Sequence, residues 1–334
     1  MPRDTHPSAA LACPTHTEAS QSKLQTQRRW TQGGFFLLFL LAPALNLLRF
    51  DLTETQLWFF GLRWSLGIDA FIHGEIDATT TALQIVLRAF LPGIALVMFF
   101  LTVAYRYGRL YCGWLCPHFS VVESLNNLLH RACGKLSLWD KSPVARANTQ
   151  PNARWWPIFT LSCLLMGFLW SVTLLTYLLP PTTIWGGLLH GTLTPNQARF
   201  IGIGGLLFAA ELAFARHLFC RFGCAVGLFQ SLAWMANPKG LVVAFDRLRA
   251  RDCKTCKTPD VPHGSACDSV CPMRLKPRNI KRMMFSCVQC GQCLSACDAS
   301  QSAQRRAPTL QWQVGEQALR ETLRQRAQEL KEGG

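Results

Sequence analysis

Eight cysteines lie within the 45 residues from Cys253 to Cys297. They read Cys253-x2-Cys256-x10-Cys267-x3-Cys271-Pro272, then Cys287-x2-Cys290-x2-Cys293-x3-Cys297. A 4Fe-4S cube needs one thiolate on each of its four irons. In the bacterial two-cluster arrangement, a C-x2-C-x2-C loop wraps three corners of one cube, and the fourth cysteine of the run turns to the other cube. That rule groups Cys287, Cys290 and Cys293 with Cys271. It groups Cys253, Cys256 and Cys267 with Cys297. Two 4Fe-4S clusters are therefore expected. Zinc also uses paired C-x2-C motifs, but it has no need of the full C-x2-C-x2-C-x3-C run with Cys271-Pro272 ahead of it. The first run departs from the usual spacing, with ten residues between Cys256 and Cys267. Pro259, Pro262 and Gly264 mark that insert, Lys257 to Ala266, as a loop. The second run ends in Cys297-Asp298, where proline is common.

Two further cysteine pairs stand outside this block. They are Arg109-Leu-Tyr-Cys112-Gly-Trp-Leu-Cys116-Pro117 and Arg216-His-Leu-Phe-Cys220-Arg-Phe-Gly-Cys224-Ala225. Cys112 and Cys220 are 108 positions apart, and each pair follows an apolar segment, so the pattern reads as an internal duplication of span plus cysteine pair. Spacing i, i+4 predicts both thiols of a pair on one helix face. Such pairs can hold a soft ion such as Cu(I), and two pairs that meet can hold a third cluster. The competing reading is inert thiols packed at helix ends. His118 and His217 lie beside the pairs and are candidates to join a metal site. Cys13, Cys133 and Cys163 have no assigned role.

These motifs need elements to position them, and the composition says which. Of 334 residues, 49% are hydrophobic and 16% charged, below the roughly 25% charged of an average soluble chain. Four apolar segments, Trp30 to Leu48, Ala89 to Tyr105, Trp155 to Leu179 and Phe200 to Ala215, predict membrane spans near 30–48, 83–105, 155–179 and 200–216. Lys and Arg outnumber Asp and Glu by 34 to 19. Residues 1–33 and 105–154 and everything after Arg216 are basic. Residues 49–82 are acidic, and residues 180–198 are uncharged. Basic loops stay cytoplasmic, which predicts four spans with both termini and the cysteine block in the cytoplasm. Membrane topology thus accounts for the basic excess without nucleic acid. The cytoplasmic side also disfavours disulfides in the block. The first span is expected to be an uncleaved anchor preceded by a disordered tail, residues 1–29.

The resulting division is a membrane domain over 30–240, a two-cluster module over 245–305, and a C-terminal tail or helix over 306–334. The fold class expected is mostly α: an integral membrane four-helix bundle carrying a small cytoplasmic ferredoxin module of bacterial type. Residues 316–332 read as a solvated helix with pairs such as Glu316 and Arg320. Lys254, Lys257, Arg274, Lys276, Arg278, Lys281 and Arg282 read as a solvated face near anionic lipid, or as a docking face for an acidic redox partner. Glu211 is the one acid inside an expected span. It is either a proton relay or a carboxylate paired with Arg216 or Arg199. His73 and His190 fall on the outer side, with Trp58, Trp64 and Trp185 as an interfacial belt. The chain has no phosphate loop, nucleophile triad or dinucleotide fingerprint.

The combination resembles the bacterial membrane polyferredoxins that include NapH, the membrane part of NosR, and CcoG/FixG. The resemblance covers roughly residues 34–315. It rests on Tyr111-Cys112-Gly-Trp-Leu-Cys116-Pro117, Cys220-x3-Cys224 and the eight-cysteine block. Ala225 departs from the family's usual proline, and the additional periplasmic domains of some members are not seen. The resemblance implies electron transfer at the inner membrane between the quinol pool, the clusters and a respiratory protein partner. A CcoG-like member would instead reduce Cu(II) to Cu(I) during assembly of a haem-copper oxidase. A redox-sensing scaffold is the third possibility.

Overall fold

The computed structural model describes residues 23–54, 56–140, 151–256, 265–302 and 304–332, without the side chains of residues 254–256 and 332. Helix α1 (Lys23–Leu41) opens the described chain. It begins and ends seven residues before the expected 30–48 span. Its polar first half is helical because it is buried: Gln25, Arg28 and Gln32 face inward. It stops at Leu41 because Pro43 disfavours helix for the residue before it. Residues 48–64, expected as part of an outer loop, form an antiparallel sheet, β1 (Leu48–Asp51), β2 (Gln56–Phe59) and β3 (Leu62–Trp64). Arg49 and Asp51 pair at 2.7 Å inside that sheet.

Helix α2 (Ala78–Tyr107) is longer than the expected 83–105 segment. After the short helix Leu110–Trp114 comes α3 (Pro117–Cys133), which packs one face inward through Phe119, Val122, Leu125 and Leu129. Helix α4 (Trp155–Leu178) follows, and then the short helix Pro181–His190. Helix α5 (Pro195–Ala210) starts at a capping box, with Thr194 accepting from the Gln197 amide, so it begins before the expected residue 200. It continues through π turns at Glu211–Ala215 and Phe219–Gly223, a departure that often marks a functional position. It breaks at Cys224 and resumes as α6 (Ala225–Ala236). Among the described residues, Ala78–Tyr107, Trp155–Thr176 and Pro195–Ala236 are long and apolar enough to cross a membrane. By that criterion the chain is a membrane protein.

Beyond α6, strand β4 (Leu241–Phe245) pairs antiparallel with β5 (Leu310–Val314), Val243 opposite Trp312. The pairing closes the cysteine block into one unit, with α7 (Gln292–Ser302) inside it. Helix α8 (Gly315–Glu332) then docks on this sheet instead of standing in solvent: Ala318 and Gln325 are buried, and Gln325 accepts from the Arg247 amide at 2.9 Å.

The membrane helices meet through small residues, as they must where lipid is as apolar as leucine. Gly167 of α4 lies against Gly205 and Ala209 of α5; a Cβ there would collide with Gly205 O and stand 2.7 Å from Ala209 N. Overpacking of this kind costs about 1–3 kcal/mol. Gly167→Leu is therefore expected to lower the unfolding temperature of detergent-purified protein by several degrees, whereas Gly202→Leu, where a Cβ meets nothing within 4 Å, leaves it nearly unchanged.

Candidate functional site

The cysteine block surrounds two small spaces. The first is lined by Cys271, Cys287, Cys290 and Cys293 together with Pro272, Met273, Leu275 and Val288. The second is lined by Cys253, Cys267 and Cys297 with Ser265, Thr309 and Leu310. The side chain of Cys256 and residues 257–264 of the insert lie outside the described residues. Cys271, Cys287, Cys290 and Cys293 thus share one space, and Cys253, Cys267 and Cys297 the other. Cys293 and Cys297 sit one turn apart on α7, each facing a different space.

The local backbone explains the first set. Gln289 and Gly291 are left-handed, φ 52° and 70°, which coils the chain between Cys287 and Cys293. Glycine suits the left-handed backbone at 291, where a Cβ would also stand 2.9 Å from a Leu24 methyl. The sulfurs receive directed hydrogen bonds: Leu275 N donates to Cys271 Sγ at 3.3 Å, and Thr309 N donates to Cys297 Sγ at 3.3 Å. Ser265 Oγ lies 3.1 Å from Cys267 Sγ. Such bonds tune the potential of a bound cluster.

The residues fit a cubane on two grounds. Burial pushes the Cys271 thiol up to about 11, and those of Cys287, Cys290 and Cys267 up to about 12. Neutral thiols are favoured there unless a metal shares the thiolate charge, and metal binding would then release protons. In addition, no three His, Cys, Asp or Glu side chains among the described residues converge closely enough for one metal ion. Four sulfurs around a single zinc would stand within roughly 4 Å of one another, given Zn–S near 2.3 Å. The described sulfurs form no such group.

The CxxxC pairs correct one expectation. The two thiols of a pair do not share a helix face. Cys112 lies in the helix Leu110–Trp114, and Cys116 is the N-cap of α3 with ψ 117°. Cys220 lies in the π turn, and Cys224 is the N-cap of α6 with ψ 109°. Both motifs therefore have the same form: a thiol in the last turn of one helix and a thiol at the start of the next. The four thiols are electrostatic neighbours, though no three of them close on a point where one ion could sit. Cys112 feels Cys116 and Cys224, Cys116 feels Cys224, and Cys220 feels Cys112 and Cys116. The Cys112 thiol also donates to Gln230 Oε1 at 3.2 Å, a buried partner that no motif announced.

This gathering abuts the first cysteine space. Trp114 Nε1 donates to Gln289 O at 3.0 Å, and Gly113 touches the Val288 carbonyl so closely that a Cβ has no room. Polar residues of α1 clamp the joint. Gln25 donates to Cys290 O at 3.0 Å, and Arg28 donates to Gly113 O at 3.0 Å and to Glu123 at 2.9 Å. Gln292 donates to the same carboxylate. None of Gln25, Arg28, Glu123 or Gln292 belongs to a recognisable motif; only the helical reach of residues 23–32 could have signalled them.

Other candidates settle as follows. Glu211 Oε1 lies 3.5 Å from His118 Nε2 without a hydrogen bond, and forms no ion pair with Arg216 or Arg199. Arg216 is engaged by Asn126 at 2.7 Å and by the Leu136 carbonyl, and Arg199 by Asn196. His118 stacks on Trp170. His217 is buried. His73 contacts the carbonyl of Asp69. Trp58 lies between Arg49 and Arg63, Trp64 donates to Arg88 O, and Trp185 is exposed. Cys163 is buried in α4, and Cys133 donates back to Leu129 O. Cys13 lies outside the described residues, as do the side chains of Lys254 and Lys257. Several cations of the basic block are tied down internally: Arg274 to Asp140, Arg278 to Asp268, and Lys281 to the carbonyl of Trp234.

Comparison with known proteins agrees with the chemistry. A family model described as a 4Fe-4S binding domain matches residues 89–135, which contain Cys112 and Cys116. The chain is 25% identical over 280 residues to the uncharacterized protein MJ0750 of Methanocaldococcus jannaschii, covering 82% of this chain and 93% of that one. It is 27% identical over 214 residues to Protein RdxA of Cereibacter sphaeroides, covering 57% of this chain and 40% of RdxA. No solved structure matches. An iron–sulfur domain implies electron transfer in general.

The contact at Gly113 generates a test. Gly113→Val would push the two loops apart, and the protein is expected to lose its iron–sulfur absorbance several times faster in air than wild type. Gly93→Val, at a position open to its surroundings, is expected to decay at the wild-type rate.

Proposed function

We propose that this protein is an inner-membrane electron-transfer protein that links the quinol pool, two 4Fe-4S clusters and a respiratory protein partner. The observation that carries the reading is the buried joint between the Cys112–Trp114 loop and the Val288–Cys290 loop. It puts a thiol-rich site at the ends of the membrane helices in contact with the first cysteine space. Cys293 and Cys297 then lead along α7 to the second space.

When bound, a cubane supplies one-electron storage with little geometric change. The chain's own residues do the rest. Cys271, Cys287, Cys290 and Cys293 hold the first group, and Cys253, Cys256, Cys267 and Cys297 the second. Met273, Leu275, Met284 and Val288 keep water from the first space. Helix α1 supports a fourth crossing. Its Phe39 carbonyl accepts from Tyr177 near the far end of α4, while its Arg28 reaches the cysteine end of the molecule. On this reading α1 and the three long helices form the membrane bundle, and the cysteine module faces the cytoplasm.

The 4Fe-4S domain match over residues 89–135, which contain Cys112 and Cys116, favours a second reading, in which Cys112, Cys116, Cys220 and Cys224 hold copper or a third cluster. Copper would suit a Cu(II)-to-Cu(I) reductase.

The deciding experiment is iron, sulfide and copper per chain on anaerobically purified protein. Roughly eight irons are expected, from four per cluster. Cys287→Ser and Cys297→Ser should each lower the count toward four, and a quinol analogue should change the cluster spectrum. Near twelve irons, falling to eight when the four CxxxC cysteines become serine, would establish the third cluster. Tight Cu(I) lost in that same variant would favour the copper reading. Zinc in place of iron would overturn all of these.

A further inference from the structure

Arg109 is the buried cation at the paired motifs, 1% exposed. Its Nη2 donates to Cys220 O at 2.5 Å, tying the first motif to the second. Gly227 lies so close that a Cβ there would stand 2.8 Å from the guanidinium carbon. The Nε of Arg109 is buried without a hydrogen-bond partner. No carboxylate among the described residues forms an ion pair with it, whereas the buried Arg28 and Arg49 have Glu123 and Asp51. Arg216, the other buried arginine near the motifs, is satisfied by Asn126 Oδ1 and by backbone carbonyls.

The groups near Arg109 that can carry negative charge are thiols, the nearest in sequence being Cys112, three residues on in the short helix that Arg109 opens. Cys112, Cys116 and Cys220 lie within its electrostatic reach, and so does Cys287 of the first cysteine space. A guanidinium does not deprotonate in a protein. Burying it uncompensated costs several kcal/mol. The missing negative charge must come from the sulfur sites on either side.

We infer that Arg109 is the shared counter-ion of the CxxxC thiol site and the first cysteine space, so that both carry net negative charge in the working protein and each senses the charge of the other through this guanidinium. The part concerning Cys287 rests on the electron-transfer reading. The part concerning the CxxxC thiols does not.

The sign of the effect follows from charge alone. Removing a positive charge beside a group that gains an electron makes that electron harder to add, so the potential falls. The test uses anaerobically purified full-length protein and EPR-monitored redox titration. The two clusters are told apart by their loss in Cys287→Ser and Cys297→Ser. Arg109→Gln is expected to lower the reduction equilibrium constant of the Cys287 cluster tenfold or more, which is 59 mV per tenfold for one electron. The Cys297 cluster should shift much less, and Arg109→Lys should restore most of the change. Gly227→Ala, which displaces the guanidinium but keeps its charge, should shift the potential in the same direction by less.

A second measurement is independent of the clusters. In wild-type protein, Arg109→Met should lower the unfolding temperature. With Cys112, Cys116, Cys220 and Cys224 replaced by serine, the same Arg109→Met should lower it much less, because one of the two partners of the charge it removes is already gone. Equal Cys287-cluster potentials in wild type and Arg109→Gln would overturn the link to the first space. An equal fall in unfolding temperature in both backgrounds would overturn the link to the CxxxC thiols. Absence of any iron–sulfur signal would defeat the electron-transfer reading and leave the unfolding cycle to decide the thiol link.

Discussion

Gly113 has no side chain, and the carbonyl of Val288 occupies the space where one would begin. That contact sets most of what lies on either side of it. For the Val288 carbonyl to reach Gly113, the chain from Cys287 to Cys293 must coil, and it does so through left-handed Gln289 and Gly291. For the Cys112 loop to receive it, the chain must break between Trp114 and Pro117, which separates the two thiols of the motif onto different helices. Proline at position 117 makes that break cheap: its ring cannot continue the preceding helix but suits the first turn of the next. The second motif has the same break with alanine in that place, so the geometry does not depend on proline.

The joint also explains why so much charge is buried on the cysteine side of the membrane helices. Two loops full of backbone carbonyls meet where there is little water, and each carbonyl needs a donor. Arg28, Gln25 and Gln32 from α1, and Trp114 from the motif itself, supply them. Glu123 then neutralises Arg28. The polar half of α1 is thus helical and ordered because tertiary partners hold it, not because its residues favour helix strongly. Its apolar half continues beside α4, where Phe39 meets Trp170 edge-to-face at 5.0 Å.

What could be read from the sequence follows from how local each signal is. That Cys271 lies beside Cys287, Cys290 and Cys293 is legible because the spacing rule for a cluster brings those positions together. The apolar runs of α2, α4 and α5 were legible because a membrane span needs length and composition alone. Other features depend on partners remote in sequence. Residues 23–29 look like a polar tail until Glu123 and Cys290 are beside them. Residues 48–64 carry no strong alternation, and the sheet there is held by turns at Phe60 and Gly61 and by the Arg49–Asp51 pair. The i, i+4 spacing in the CxxxC motifs pointed to a single helix face, and tertiary packing overrode it. Glu211 lies beside His118, which is 93 positions earlier in the chain, rather than pairing with the nearby arginines. The first motif sits inside the matched 4Fe-4S domain, residues 89–135, so the membrane-side cysteines carry an iron–sulfur signature of their own.

The central claim is that the cysteine module is seated on the membrane-side thiol site through this joint. Hydrogen–deuterium exchange on iron-loaded and iron-depleted protein tests it most directly. Removing the iron should loosen the loop over residues 285–294. If the two loops are one unit, residues 109–117 should lose protection with it, while the β1–β3 sheet stays unchanged. Loss of protection over 285–294 with residues 109–117 unaffected would contradict the account.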